Sequence, residues 1–479
     1  MINLMILCGL VLLTCIITSK IFYRWGVPVL LVFMGIGMIF GSDGIGGIYF
    51  DNYDMTYFLA STALVFIMFY GGFCTQWSKA KPISIPAVML STLGVAITAG
   101  LTGLFCYFVL KTSMLEGLLL GSVVASTDAA SVMSILRSRN LKLKNNIDTL
   151  VEFESGSNDP TAYMLTSIVI VLMGASGGMD AGSMGLSVLI MILKQVGFGI
   201  AVGLLLSSMS VFILRRIKFE IEGLYPIFTT AVAILAYAIS ETLGGNGYLS
   251  VFFAGIVIGN AKIPHKKSLT HFFDGLSWIM QIMLFFMLGL LAFPSQIPNI
   301  AFEGIMISLF LILIGRPIAV FSILCWFKIP IKQQLFISWV GLRGAASLVF
   351  AIFAITKNVT IQSDIFHIIF FIALFSVTIQ GSFIPLVAKK LGLIEEEVIE
   401  DDQVSELKKK FKNGMVEMLV EEGNKWINKA LMDCEIPEEI LVVMIKRQGK
   451  VIVPKGFTII KENDVLVLIG QECELAAAE

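Results

Sequence analysis

The stretch Phe153-Glu154-Ser155-Gly156-Ser157-Asn158-Asp159-Pro160 places two carboxylates and an amide directly before a strongly apolar run. The residues that follow, 161–174, can continue the segment across a bilayer. Ionisable side chains within membrane spans are costly and usually belong to ion pathways or proton relays. Asp159 is therefore the residue that we predict to bind a cation or a proton.

The composition predicts a polytopic membrane protein whose first partner is the lipid bilayer. Hydrophobic residues make up 57% of the 479 residues and charged residues only 14%, and the mean hydropathy is +0.87. A soluble globule of this length would need more polar surface. The formal net charge is -1, and no basic block is large enough to bind a phosphate backbone, so nucleic acid is not an expected partner.

Apolar runs of about 20 residues predict an all-α membrane domain of about thirteen spans. The spans are 3–22, 27–41, 57–76, 83–110, 114–136, 149–174, 185–214, 224–242, 248–261, 272–294, 300–327, 333–356 and 362–388. An odd number places the two termini on opposite sides. Eighteen Lys and Arg residues fall on one set of loops and span ends, and three on the other. Because cytoplasmic loops are enriched in Lys and Arg, the N-terminus is predicted outside and the C-terminus in the cytoplasm.

Two spans carry runs of small residues around a charged group. The fifth contains Thr127 and Asp128 within 121–131, and the twelfth contains Arg343 within 338–347. Such runs predict broken helices, whose open ends can bind ions at the centre of a transporter. A continuous helix with Asp128 facing a neighbour is the alternative for the fifth span. Because the two spans stand seven apart, we predict two inverted six-helix repeats.

A buried arginine needs a carboxylate partner, and the twelfth span offers Arg343. Glu154 is the best candidate, because Glu154 and Asn158 lie four residues apart on one helix face. Arg343 is therefore predicted to pair with Glu154 and to hydrogen-bond Asn158. Arg316 in the eleventh span is also near mid-membrane, but the sequence shows no partner for it.

Ser155 and Asp159 also lie four residues apart, so they share a second face of the same helix. The Ser155 hydroxyl is thus predicted to help bind a cation at Asp159. Glu152 lies seven residues, about 10 Å, towards the cytoplasm. It is either an acid that attracts cations at the inner mouth or a simple helix-start carboxylate.

Four pieces of the sequence resemble the bacterial NhaP-type branch of the monovalent cation:proton antiporter-1 family. They are ASTDAASV at 125–132, FESGSNDP at 153–160, GGNGYLSVFFAGIVIGN at 244–260 and WVGLRGAASLVFAI at 339–352. The resemblance extends over about residues 5–390. It implies a homodimeric antiporter of the bacterial cell membrane, in which a core domain with crossed broken helices moves against a dimerisation domain.

The resemblance also implies roles for individual residues. Asp159 would be the shared cation and proton site, with Thr127 and Asp128 at the crossing and Ser155 as an ion ligand. It further implies a Glu154–Arg343 ion pair that engages Asn158. Many relatives carry an acid before a Gly-Gly pair in the third span, where this chain has Tyr70. Ion selectivity therefore cannot be transferred from those relatives.

Beyond residue 390 the composition becomes polar, which predicts three regions: a transmembrane domain at 1–390, a linker at 391–413 and a small α+β cytoplasmic module at 414–472. Short strands are predicted at 416–420, 440–445, 451–453 and 465–469. The module resembles the TrkA-C half of the regulators of potassium conductance. That resemblance implies a dimer with a ligand cleft near Arg447, Ile452 and Pro454, where a nucleotide such as cyclic di-AMP could bind. A purely structural dimerisation module is the alternative.

The leading functional hypothesis is electroneutral, secondary exchange of potassium or sodium for protons by alternating access, with potassium favoured. The alternative within this class is a sodium/proton antiporter, and the rival from another class is a ligand-gated cation channel. A channel would need a selectivity filter or a charged ring, and no TVGYG-like loop is present. The sequence contains no GxxxxGK[ST] loop for ATP binding, so a pump driven by ATP is not predicted. Neither an enzyme activity nor a cofactor is expected.

Overall fold

The computed structural model describes two compact units, Met1–Glu395 and Glu396–Glu479. The described residues are 2–25, 28–139, 141–174, 181–357, 359, 361–395, 415–420, 424–434, 436, 441–447 and 450–469. Most of the predicted linker, 396–413, lies outside them, as does the predicted module end at 470–472.

The membrane unit consists of thirteen helical segments within the described residues. They are α1 Ile2–Trp25, α2 Val29–Phe40, α3 Tyr53–Cys74, α4 Trp77–Leu110, α5a Met114–Val124 with α5b Ala129–Ser138, α6 Ile147–Gly174, α7 Ala181–Arg216, α8 Leu224–Thr242, α9 Gly247–Asn260, α10 Lys266–Leu291, α11 Pro294–Phe327, α12a Ile331–Trp339 with α12b Ala345–Thr356, and α13 Ile365–Lys390. Eight of them are long and apolar enough to cross a bilayer, and shorter apolar helices accompany these. The all-α polytopic prediction is confirmed.

Polar N-terminal caps and short π-helical stretches shape these helices. Side chains accept N-terminal amide hydrogen bonds at Asn52 before α3, Ser113 before α5a and Asn246 before α9. Single π-helical stretches interrupt α11 at Leu311–Gly315 and α13 at Ser376–Gln380. Such stretches often occur at functional positions. The first of these two directly precedes Arg316, the first residue of the α-helical part that follows.

Both predicted helix breaks are present. The fifth segment is non-helical between Val124 and Ala129, and the twelfth between Trp339 and Ala345. The continuous-helix alternative for the fifth span is therefore wrong. The breaks fall in the fifth and twelfth segments, which is the order that the two-repeat prediction requires.

The C-terminal unit contains a four-stranded antiparallel sheet. The strands are β1 Met415–Leu419, β2 Leu441–Arg447, β3 Lys450–Ile452 and β4 Val465–Ile469, in the order β1-β4-β2-β3. Apolar residues of β2 and β4, including Val442, Ile445, Leu466 and Leu468, form its buried core. An irregularity in the pairing of β2 with β4 between Val442 and Met444 shifts the alternation in β2. The four predicted strands are thus confirmed: the bounds of β4 agree, and the ends of the other three shift by one or two residues.

Arg447 closes one end of this sheet. Its Nε and Nη2 atoms donate to Asp464 Oδ1 and Oδ2 at 2.8 and 2.7 Å. Burial favours the neutral acid, but the hydrogen bonds from Arg447 and from the Lys461 amide outweigh it and lower the pKa of Asp464. Arg447 therefore has a structural partner within the module. Its predicted part in a ligand cleft with Ile452 and Pro454 stays a prediction.

Candidate ion-binding site

The two helix breaks meet at the centre of the membrane unit. The Asp128 amide donates to the Leu342 carbonyl at 2.8 Å, which joins the backbones of the two breaks. A Cβ atom on Gly344 would lie only 2.5 Å from Asp128 Cβ. Glycine is therefore required at position 344 for this close approach.

Opposite charges compensate the open helix ends at this crossing. Arg343 Nη1 donates to the carbonyl oxygens of Ala125 and Ser126, at 2.8 and 3.0 Å, where α5a ends. Asp128 accepts from the amide of Ser131 at 3.2 Å and from its hydroxyl at 2.6 Å, where α5b begins. Helix C-termini favour cations and N-termini favour anions, so both charges stabilise the broken helix.

Polar residues of α6 hold the fifth-segment break in place. Ser155 Oγ donates to the Thr127 carbonyl at 2.8 Å and accepts from the Ala129 amide at 2.9 Å. Asn158 Nδ2 donates to Thr127 Oγ1 and to Glu154 Oε1, the latter at 3.2 Å. The predicted residues Thr127, Ser155 and Asn158 thus lie together, and their hydrogen bonds fix the geometry of the crossing.

The partner of Glu154 is Arg316, so the predicted ion pair with Arg343 is wrong. Arg316 Nη1 and Nη2 donate to the two Glu154 oxygens at 3.1 and 2.8 Å, and both side chains are almost fully buried. The predicted Arg343–Asn158 hydrogen bond is not formed in the described structure either. Gly341 makes room for Arg316, because a Cβ there would lie 2.9 Å from Arg316 Nε. Arg343 is instead committed to the α5a carbonyls.

Asp159 has a different environment from the other carboxylates. Ser126 Oγ donates a hydrogen bond to Asp159 Oδ1, and the Asp159 side chain is only partly buried. Among the described residues, no basic side chain forms an ion pair with it. Sequence reasoning missed Ser126, although it stands within the same small-residue run as Thr127.

A cavity of about 830 Å³ connects Asp159 to one surface of the membrane unit. It reaches that surface at Lys20 and Arg137, on the side rich in Lys and Arg, which we call the near side. The predicted site residues in its wall are Thr127, Asp128, Glu152, Ser155 and Asp159. Glu152 lies 3.6 Å from Arg137, with side chains 50% and 76% exposed. Such an exposed pair is weak, so the Glu152 carboxylate remains accessible to cations.

The opposite wall of the cavity carries an acid that the sequence reasoning did not single out. Tyr70 donates from its hydroxyl to Asp274 Oδ1 at 2.9 Å. Asp274, Ser277 and Gln281 all line the cavity from α10. Because they are three and four residues apart, these polar side chains share one face of α10, and this spacing in the sequence could have predicted them as a group. Although Tyr70 brings no charge, α10 supplies a carboxylate beside it.

Crossed broken helices, with a carboxylate at the crossing that faces a cavity and has no basic partner among the described residues, are typical of a secondary transporter for a small cation. The comparisons agree with this class. The transmembrane model of the sodium/hydrogen exchanger family matches residues 9–390, and the TrkA-C domain model matches residues 415–479. The chain belongs to the sodium/hydrogen exchanger family and is a multi-pass cation/proton antiporter, not an enzyme.

Individual relatives are similar over most of this chain. The K(+)/H(+) antiporter NhaP of Alkalimonas amylolytica is 36% identical over 99% of this chain and 82% of its own length. The K(+)/H(+) antiporter NhaP2 of Shewanella sp. (strain MR-4) is 34% identical over 96% of this chain and 80% of its own. The solved structure of the sodium proton antiporter MjNhaP1 from Methanocaldococcus jannaschii superposes with a TM-score of 0.71 at 25% identity. It covers 80% of this chain and 97% of that one.

Proposed function

We propose that the protein exchanges one potassium ion for one proton at Asp159. The observation that carries this proposal is the difference among the three carboxylates at the crossing. Glu154 is neutralised by Arg316, and Asp128 caps the start of α5b. Asp159 has only the Ser126 hydroxyl as a partner among the described residues and faces the cavity. It is therefore the carboxylate that can give up a proton to bind a cation.

Competition at one carboxylate couples the two fluxes. Asp159 can hold a proton or a monovalent cation, but not both, so each must leave before the other binds. The neighbouring Asn158 is neutral and is held by Thr127 and Glu154. With one exchangeable charge, the cycle is electroneutral. The proposed cation ligands besides Asp159 are Ser126, Ser155, Thr127 and Asp128.

Alternating access follows from a cavity that reaches Asp159 from one side. The near side carries most of the Lys and Arg residues, so we assign it to the cytoplasm, with the N-terminus outside and the C-terminus inside. Glu152 is the acid that attracts cations at this cytoplasmic mouth. The transporter works as a homodimer, in which the helices of the crossing move against a dimerisation domain.

Potassium is favoured over sodium because of the relatives. The two with 36% and 34% identity are named K(+)/H(+) antiporters, while the Na(+)/H(+) antiporter NhaH of Halobacillus aidingensis is 30% identical over 64% of this chain. We expect purified protein in proteoliposomes at clamped voltage to exchange potassium for protons with a higher kcat/KM than sodium. A current that depends on voltage without proton movement would instead support the channel. A higher kcat/KM for sodium would support the sodium antiporter.

The C-terminal module, with the linker at 391–413, is proposed to regulate transport rather than perform it. All the groups at the crossing lie before residue 390, so deletion from Asp402 onward should leave exchange intact and change its response to ligand or pH. Cyclic di-AMP is the ligand to test, by calorimetry on the full chain and by transport assays on the full and shortened chains. A ligand shifts transport only if it binds two states with different affinity. Loss of all exchange on deletion, in a protein that still folds, would contradict this separation.

A further inference from the structure

The far side of Asp159, opposite the cavity, is closed by a layer of aromatic rings. Tyr163 stands one helical turn beyond Asp159 on α6. Its ring centroid lies 5.1 Å from those of Tyr248 and Phe353 and 5.8 Å from that of Phe350. None of these four residues lines the near-side cavity. Tyr163 and the rings around it therefore lie next to Asp159 on the side away from the cavity.

An acid lies directly behind this layer. The Tyr163 hydroxyl donates to Glu241 Oε2 at 3.3 Å, and Glu241 Oε1 accepts from the Gly247 amide at 2.9 Å. Tyr57 and Tyr237 belong to the same aromatic cluster, with ring centroids 5.5 Å from that of Phe353 and 5.2 Å from that of Tyr248, respectively. Lys357, the residue that follows α12b, places its Nζ atom 5.2 Å from the Phe353 ring centroid and so brings a positive charge to this cluster. Glu241 is partly exposed, so it is not sealed within the protein.

The depth of Glu241 follows from the shortness of α9. This helix has 14 residues and spans about 21 Å, which is less than the roughly 30 Å of a bilayer core. Its cap residue Asn246 donates from Nδ2 to the carbonyl of Pro160, the neighbour of Asp159, at 2.7 Å. The start of α9 therefore lies at the level of the ion site. Glu241 accepts a hydrogen bond from the amide of Gly247, the residue after Asn246. Glu241 therefore lies well below the far surface.

We propose that Glu241 is the far-side acid of the ion pathway, and that the Tyr163 ring layer is the gate between it and Asp159. This inference rests on the proposed exchange at Asp159. Glu241 attracts a monovalent cation or receives a proton on the far side, as Glu152 does at the near-side mouth. Opening the layer then joins Glu241 to Asp159, while the near-side cavity closes.

The Glu241→Gln variant tests this role. Its amide oxygen can still accept from the Gly247 amide and its NH2 group can donate to the Tyr163 hydroxyl oxygen, while the charge is lost. Potassium is varied on one face at a time, in right-side-out and inside-out membrane vesicles. We expect the far-side KM for potassium to rise about tenfold, as loss of one unit charge near the path predicts, while the near-side KM stays unchanged. Glu303→Gln, an acid near the far end of α11 and outside this cluster, is the matched control and should change neither KM.

Equal changes at both faces, or no change at either, would overturn the proposal and leave Glu241 as a cap of α9. If Glu241→Gln does not fold, Tyr163→Phe decides, because it removes only the hydroxyl that holds the carboxylate. It should shift the far-side KM severalfold and spare the near-side KM, and unchanged values at both faces would refute the proposed role of Glu241 on the far-side pathway. The wild-type protein is measured in the same vesicles. If it exchanges potassium for protons while the variants behave as just described, the role of Glu241 is refuted but the proposed exchange at Asp159 is not.

Discussion

Asp159→Asn is expected to abolish cation/proton exchange while the protein still folds. An amide of nearly the same shape keeps a hydrogen bond with Ser126, but it cannot alternate between a protonated and an ionised form. Because Glu154 and Asp128 are already committed to Arg316 and to a helix start, neither can replace it. The exchange rate in proteoliposomes should therefore fall to the level of empty vesicles.

Asp148→Asn is the matched control for this variant. It makes the same change in the first turn of α6, eleven residues before Asp159. It should retain most of the wild-type exchange rate. Thermal melting in detergent checks that both variants fold. If Asp159→Asn still exchanged potassium for protons with a clear pH dependence, a mechanism based on this one carboxylate would be untenable.

Arg316→Gln should be the most destabilising single change at the crossing. It leaves the Glu154 carboxylate buried without its partner, and breaking a buried ion pair in this way costs about 3–5 kcal/mol of unfolding free energy. The double variant Glu154→Gln with Arg316→Gln removes both charges and should recover part of this loss. Thermal stability in detergent, compared across the two single variants and the double variant, measures the coupling.

Arg343→Gln provides the contrast, because Arg343 donates to backbone carbonyls and not to Glu154. Its loss should cost about 1–3 kcal/mol, the range for an unpaired buried group. Adding Glu154→Gln should then give no recovery, since Glu154 would lose its bond to Arg316 as well. Recovery of Arg343→Gln by Glu154→Gln, without recovery of Arg316→Gln, would favour the pair that the sequence suggested.

The sequence alone predicted the broad architecture well, because each part of it has a local cause. A bilayer demands long apolar helices, so hydropathy located all thirteen segments. Small residues around Asp128 and Arg343 predicted both helix breaks. An ionisable group in an apolar span is rare, which is why the sequence predicts Asp159 as the ion-binding residue. The short apolar runs at 440–445 and 465–469 likewise predicted strands of the module.

The tertiary structure decided which charges are paired and which is free. Helical spacing assigns Glu154 to a face, but it cannot say whether Arg316 or Arg343 reaches that face. The answer depends on Gly341 in another segment, where a missing side chain leaves room for Arg316. In the same way, Ser126 contacts Asp159 and Tyr163 contacts Glu241 only because distant segments fold together. Local patterns determine helices and breaks, whereas the partner of a buried charge depends on side chains from several helices at once.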